Sequence, residues 1–277
     1  MIRELGPGKV ALDFGPTQMN IHVSGDNAGT GIAKEAADYA IKLVTELAGF
    51  KTIAARPQSE IGTLEDLPVV LQRMIESVRK TGDTDLTPMA AVAGTLSDMT
   101  ADWLFARGVS KVIVNNGGDI AIRLSGEQRA TVGIAPALGM PPTHVLHIGA
   151  ADGIGGVTTS GSGGRSFTKG IATAATIAAK TASIADACAT SIGNATFSPH
   201  PSIRMARAEE IDPLTDIAGH WVVRDVGELP QETVQAALEN GWMRAKSYLD
   251  RGIITGCVIF IGQAGVVLPE GLVTPLP

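Results

Sequence analysis

Val157-Thr-Thr-Ser-Gly-Ser-Gly-Gly-Arg-Ser-Phe-Thr-Lys-Gly170, an Ala/Thr-rich run, and then Ser183-Ile-Ala-Asp-Ala-Cys-Ala-Thr-Ser-Ile-Gly-Asn194 form the most informative stretch of this 277-residue chain. Its first half, Thr158 to Ser166, reads as a loop of glycines and hydroxyls. Glycine lets a backbone turn inward, so such a loop can aim several N–H groups and side-chain donors at one anion, typically a phosphate. The second half reads as a helix. Asp186 and Thr190 stand four apart in it, which puts both oxygen-bearing side chains on one face, where a single hard cation can bridge them. A simpler explanation of Asp186 is also open. Ser183 followed by Asp186 fits a capping box, in which the acidic side chain returns to its own helix start and gains ~0.3–1 kcal/mol from the helix dipole.

Working outward, the composition bounds the class. Hydrophobic residues at 44%, charged ones at 18%, 33 glycines and only 4% aromatics describe a folded protein with many turns and a core of small residues. The net charge of -6 and the lack of clustered Lys/Arg exclude a nucleic-acid footprint. Small ligands and proteins are the expected partners. The start, Met1-Ile-Arg-Glu-Leu-Gly-Pro-Gly8, has no apolar run behind its charges, so the expected location is the cytoplasm. The longest apolar run, Ile253 to Ile261, is far short of the ~20 residues that span a bilayer, so no membrane partner is expected. Cys188 and Cys257 lack metal or redox spacing and read as buried, reduced thiols.

In chain order, residues 10 to 23 alternate loosely around Gly15-Pro16 and predict two short strands. Ile32, Ala36, Ala40, Leu43 and Leu47 recur at helical spacing before Gly49, predicting a helix from Thr30 to Ala48. Pro68 opens a second helix that ends near Gly82, and Thr87-Pro88 a third, the longest, capped by the threonine hydroxyl and running to Gly108. That third helix carries a bulky stripe (Met89, Val92, Leu96, Met99, Trp103) and a small-residue stripe with Asp98 and Asp102. Asp102 is expected to face solvent; for Asp98, solvent and a ligand are both open.

Lys111 to Leu124 predicts a hairpin at Asn116-Gly117, and Asn115 and Asp119 add two polar groups at its mouth. Further strands are expected at Ala130–Ala135 and His144–Ile148, where His144 and His147 fall on opposite faces and share no metal. Later elements are a strand at His220–Val226, a helix from Pro230 to Gly252, a strand at Ile253–Ile261, and an arm over residues 269–277. Strands and long helices without regular alternation indicate an α+β fold.

Several of these strings together resemble a known family. Asn115-Asn116-Gly117-Gly118-Asp119, Thr159-Ser160-Gly161-Ser162 and Ala185-Asp186-Ala187-Cys188-Ala189-Thr190 stand in the order and spacing of the conserved blocks of ApbE-type FAD:protein FMN transferases. Ala93-Gly94-Thr95-Leu96-Ser97-Asp98 lies at the distance of a fourth block. Pro88-Met89-Ala90-Ala91-Val92-Ala93-Gly94 adds a closer likeness to an uncharacterised prokaryotic family within that superfamily. The resemblance runs roughly from Val10 to Ile261.

It implies one ApbE-like domain over residues 1–277, T-fold-related and α+β, with two interdigitated lobes of mainly antiparallel sheets packed by long helices. It further implies Mg²⁺ held by Asp186, Thr190 and the backbone of Ala189, with Asp98 a second carboxylate nearby. A phosphorylated ligand such as FAD or FMN would be lined by Asn115, Gly117, Gly118 and Asp119 and cradled by Thr159, Ser160, Gly161, Ser162, Gly163 and Gly164, with Arg165 and Lys169 as phosphate partners. The resemblance names no catalytic residue. Ala93 replaces the transferase lysine, and the His-x-x-Asp-Pro-x-Thr-Gly block is absent between the Ser-Gly loop and the late helix, where Arg165 to Gly170 stand. The closer family is linked with sulfur assimilation and homocysteine formation. Two functions follow as expectations: a cytoplasmic, homodimer-forming protein that handles a phosphorylated ligand, or an accessory subunit that kept the fold without the chemistry.

Overall fold

The computed structural model describes residues 1–164 and 166–277. Its strands are β1 (Ile2–Gly6), β2 (Lys9–Phe14), β3 (Thr17–Ser24), β4 (Lys111–Asn116), β5 (Asp119–Leu124), β6 (Arg129–Ile134), β7 (His144–Gly149), β8 (Gly156–Ser160), β9 (Ala174–Ala179), β10 (Ile203–Arg207), β11 (Trp221–Val226), β12 (Gly256–Ile261), β13 (Ala264–Leu268) and β14 (Thr274–Pro275). Its helices are α1 (Thr30–Ala48), α2 (Lys51–Ala54), α3 (Val69–Thr81), α4 (Val92–Phe105), α5 (Ala182–Ala195), α6 (Ala208–Ile211) and α7 (Gln231–Asp250). The fold is α+β. Two compact units divide the chain: Met1–Thr131, His147–Thr158 and Ala178–Ala187 make the first, and Val132–Leu146, Thr159–Ile177 and Cys188–Pro277 the second.

In the first unit, β1, β2, β3, β4, β5 and β8 are successive antiparallel neighbours. Alternation decides which face is covered. Val10 and Leu12 of β2, Met19, Ile21 and Val23 of β3, and Val112 and Val114 of β4 all turn to one side and are buried. The helices lie on that side. α1 buries Ala33, Ala36, Ala37, Ala40, Leu43 and Leu47, a stripe of small residues at spacings of three and four that lets the helix sit close to the strands. α3 adds Val70, Leu71, Met74, Ile75 and Val78; burying each side chain of this size stabilises the unit by roughly 1.5–3 kcal/mol. Gly82 ends α3 in the left-handed conformation that glycine tolerates.

The expected long helix from Thr87 is interrupted. Pro88–Ala91 is a 3₁₀ turn, α4 follows with 14 residues, and among the described residues Thr87 makes no side-chain cap. The longest helix is α7, with 20 residues. β1 is an added strand, largely exposed at the sheet edge. The hairpin of β4 and β5 turns on Gly117 and Gly118, both at positive φ, with Asn116 opposite Asp119.

In the second unit, β12 pairs antiparallel with β13 and neighbours β9, while β10 and β11 form a separate two-stranded ribbon. α7 packs on β12 and β13 and buries Ala237, Leu238, Gly241, Ala245 and Tyr248. Gly241 is small of necessity: a Cβ there would sit 2.7 Å from Thr196 Cγ2. In the tail, Thr274 pairs with Val145 of β7 and the Leu276 N–H bonds the Thr143 carbonyl at 2.8 Å. Among the described residues no helix is long and apolar enough to cross a membrane.

Candidate functional site

The start of α5 is held by side chains from elsewhere. Asp98 of α4 is fully buried, and its two oxygens accept the N–H groups of Ala182 at 3.0 Å and Ser183 at 2.8 Å. A carboxylate from another helix thus satisfies two of the donors that a helix start leaves open. The Thr181 hydroxyl lies 3.3 Å from the N–H of Ile184 and completes the cap. The expected box between Ser183 and Asp186 is therefore absent; Ser183 already lies within the helix.

Arg123 of β5 fixes Asp98 in turn. Its guanidinium bonds Asp98 at 2.8 Å and Asp102 at 2.7 Å and donates to the Gly155 carbonyl at 2.8 Å. Burial works against the Arg123 charge, and Asp98 and Asp102 outweigh it. Asp102 is not simply solvent-facing, because Arg73 also bonds it at 2.8 Å. Burial would raise its carboxyl, but Arg123 and Arg73 hold it below the usual carboxylate range. Removing one member of a buried ionic cluster is costly, since its partner charge is left desolvated.

Once α5 is placed, Asp186 lies against α4. Its Oδ2 accepts the Gly94 N–H at 2.8 Å, a partner 92 residues away. Glycine is required at that crossing: a Cβ on Gly94 would stand 2.7 Å from the Ala182 carbonyl carbon and 2.8 Å from Asp186 Cβ. A Cβ on Gly156 would run into the same Ala182 backbone. Although part of the Asp186 surface stays accessible, burial of its carboxyl pushes the pKa well above the ordinary value. Asp119, then Asp98, add to that rise, against the opposing Gly94 and Ala93 N–H groups. A cation beside this carboxyl would relieve both effects.

The strand register sets Asp119 in a row. Met19, Asn116 and Asp119 are opposite one another across β3, β4 and β5, so they share the helix-covered face. Ile120 pairs with Val157, and continuing that register by one residue sets Thr158 beside Asp119. Ser97 of α4 donates to the Asp119 carbonyl at 2.8 Å. Among the described residues, three buried side-chain oxygens have no partner: Thr95 Oγ1, Asn116 Oδ1 and Thr158 Oγ1. Each such atom costs roughly 1–3 kcal/mol unless something binds it. Oxygen donors suit a hard cation such as Mg²⁺, so the chemistry of these residues fits the implied metal.

The glycine–hydroxyl segment, in the second unit from Thr159 on, is half strand and half turn. Thr158, Thr159 and Ser160 belong to β8, and the Thr159 hydroxyl bonds that of Thr176 at 2.8 Å. Gly161 is pressed against strand backbone, where a Cβ would lie 2.5 Å from the Thr173 carbonyl oxygen; Gly163 takes a positive φ. The N–H of Ser162 bonds the Ala172 carbonyl and that of Gly164 the Gly161 carbonyl. What the turn can offer an anion is thus the hydroxyls of Ser160 and Ser162 and the exposed backbone of Gly163. Ser160, at the end of β8, faces Gly193 of α5: its side chain would be 3.9 Å from a Cβ there. The Lys169 N–H is anchored by Asn194 at 2.8 Å. Thr190 is half-buried and Ala189 buried. Arg165 lies outside the described residues.

A family model described as AbpE bacteria matches residues 3–268. This chain belongs to that family. Among curated relatives, it is 35% identical over 175 residues to the UPF0280 protein of Methanococcus vannielii, covering 60% of this chain and 68% of that one. It is 38% identical over 128 residues to the UPF0280 protein of Archaeoglobus fulgidus, covering 45% of this chain and about half, 49%, of that one. Among solved structures, the flavin transferase ApbE of Vibrio cholerae matches with a TM-score of 0.53 at 12% identity, over 95% of this chain and 97% of that one. The ApbE protein of Thermotoga maritima matches with 0.50 at 15%, over 94% and 96%. The fold is thus ApbE-like.

Within this AbpE-family chain, the structure brings Asp186, Asp119 and Asp98 into one unit. Asp98 spends both oxygens on α5 and Arg123. Asn115 faces away from Asp119: it pairs with Ile120 on the other face, and its Oδ1 accepts the Gly118 N–H at 2.8 Å, which closes the turn. The residues that join Asp119 are Asn116 and Thr158. The alternation Val112, Val114, Asn116 held a signal for the first, but the turn chemistry of Asn-Gly explained that asparagine locally. Arg123 carried no local sign at all.

Proposed function

We propose that this protein binds a flavin nucleotide, FAD or FMN, together with Mg²⁺, with Asp186, Thr190 and the Ala189 carbonyl as metal ligands on one stripe of α5. The observation that carries this reading is the Asp186 carboxyl. It is turned from its own helix start onto Gly94 and pushed upward in pKa by burial and by Asp119. A bound Mg²⁺ would neutralise phosphate charge. This chain's residues supply the rest. Asp98 and Arg123 fix the start of α5, and hence Asp186; the Ser160 and Ser162 hydroxyls and the Gly163 backbone present donors to a phosphate, with Thr159, Gly161 and Gly164 shaping the turn. Asp119 lines the pocket with Gly117 and Gly118 at the hairpin turn, and Lys169 and Arg165 remain phosphate partners by sequence. Asn115 is left to the turn.

Transfer of flavin to a protein is not part of the proposal, because Ala93 stands where transferases carry lysine. That same alanine favours a second reading, an accessory subunit that holds partners without chemistry. Two buried free thiols, Cys188 and Cys257, suit the reducing cytoplasm, and the link of the closer family with sulfur and homocysteine metabolism gives the setting. Thermal melting separates the readings. Flavin nucleotide plus Mg²⁺ at about a hundred times Kd should raise Tm by about 5–10 °C, and Asp186→Ala should remove the rise. A flat response to FAD and FMN would leave the accessory reading.

A further inference from the structure

The three unpartnered oxygens are not scattered. Asn116 Oδ1 and Thr158 Oγ1 belong to residues that flank Asp119 on neighbouring strands, and Thr95 follows Gly94 on the helix that touches Asp186. α4 ties the two places together. Its Gly94 N–H bonds Asp186 and its Ser97 hydroxyl bonds the Asp119 carbonyl, three residues or ~4.5 Å apart along the helix. Asn116 and Thr158 are 2% and 0% exposed. Burying such groups without partners costs stability, and natural chains keep them where something else bonds them. Among the described residues no three His, Cys, Asp or Glu side chains converge, so a hard cation beside Asp186 needs neutral oxygens to fill its shell.

We propose that the sheet-side row Asn116, Asp119 and Thr158 completes the coordination of the divalent cation held by Asp186, with the Thr95 hydroxyl supporting it from α4. This deepens the reading above and rests on it. A hard cation takes carboxylate, amide and hydroxyl oxygens alike, so a donor set of this kind binds Mg²⁺ or Mn²⁺ and rejects soft metals.

Titration of the full chain with Mn²⁺ alone, followed by its electron-paramagnetic-resonance signal, and melting of the metal-free protein test this together. Thr158→Val keeps shape and deletes one oxygen. It should raise the metal-free Tm by about 2–4 °C, since an unpaired buried hydroxyl is removed. It should also weaken Mn²⁺ binding at least about tenfold. Asn116→Asp, which adds a charged oxygen, should tighten Mn²⁺ binding. Undiminished Mn²⁺ affinity in Thr158→Val would overturn the inference, as would a lowered metal-free Tm or no tightening in Asn116→Asp. Wild-type protein that binds Mn²⁺ with affinity untouched by both changes would sink only the strand ligands; wild-type protein that binds none would sink the Asp186 reading itself.

Discussion

Gly94→Ala is the sharpest single perturbation, because its sign is opposite under the two views of this glycine. On an ordinary helix face, alanine is better than glycine by about 0.8–1 kcal/mol, and the change would stabilise. Here the added methyl would lie 2.7 Å from the Ala182 carbonyl carbon and 2.8 Å from Asp186 Cβ, whereas ordinary contact begins near 3.4 Å. α4 and α5 must part by about 0.6 Å or more. Overpacking of this kind costs about 1–3 kcal/mol. Stretching the 2.8 Å bond from the Gly94 N–H to the Asp186 carboxylate costs up to about 1.5–3 kcal/mol. With both terms and less the propensity gain, the expected loss is about 1.5–5 kcal/mol, read as a fall in the urea midpoint at unchanged slope. Stabilisation near 1 kcal/mol would refute the close α4–α5 crossing, and with it the placement of Asp186.

Three further expectations follow from burial. Asp98→Ala should cost about 3–5 kcal/mol in urea unfolding, more than Asp102→Ala, because Asp98 is wholly buried while Asp102 keeps 41% of its side chain exposed. Asp186 has a raised folded pKa, so its contribution to metal-free stability is fully present below the unfolded value of ~3.9 and is lost as pH rises through the folded value. Asp186→Asn should therefore raise Tm at neutral pH without metal and flatten its fall with pH; a steeper fall would contradict the burial argument. Burial pushes both Cys188 and Cys257 to about 12, so native protein should resist iodoacetamide at pH 8 and react only when unfolded.

What the sequence disclosed followed the range of its signals. α1 was legible end to end, Thr30 to Ala48, because alanine periodicity and a terminal glycine are local facts. The β4–β5 hairpin was legible for the same reason, although its turn centres on Gly117-Gly118. The helix from Thr87 misled, since Thr-Pro opens a 3₁₀ turn as readily as an α-helix, and only packing decides. The sequence singled out the carboxylate at 186 but not its partner in the fold. Local spacing pointed to Ser183, whereas the bond that forms reaches Gly94, and the true cap comes from Asp98, 84 residues from Ala182. Strand register, which sets Asn116 and Thr158 beside Asp119 and turns Asn115 away, exists only after the sheet has formed.

The most direct measurement is a fluorescence titration of FAD into the purified chain, with and without Mg²⁺, for the wild type and Asp186→Ala. Saturable binding that needs Mg²⁺ and disappears with the aspartate is the expected result. Binding that ignores both the metal and the substitution, or no binding at all, would contradict it.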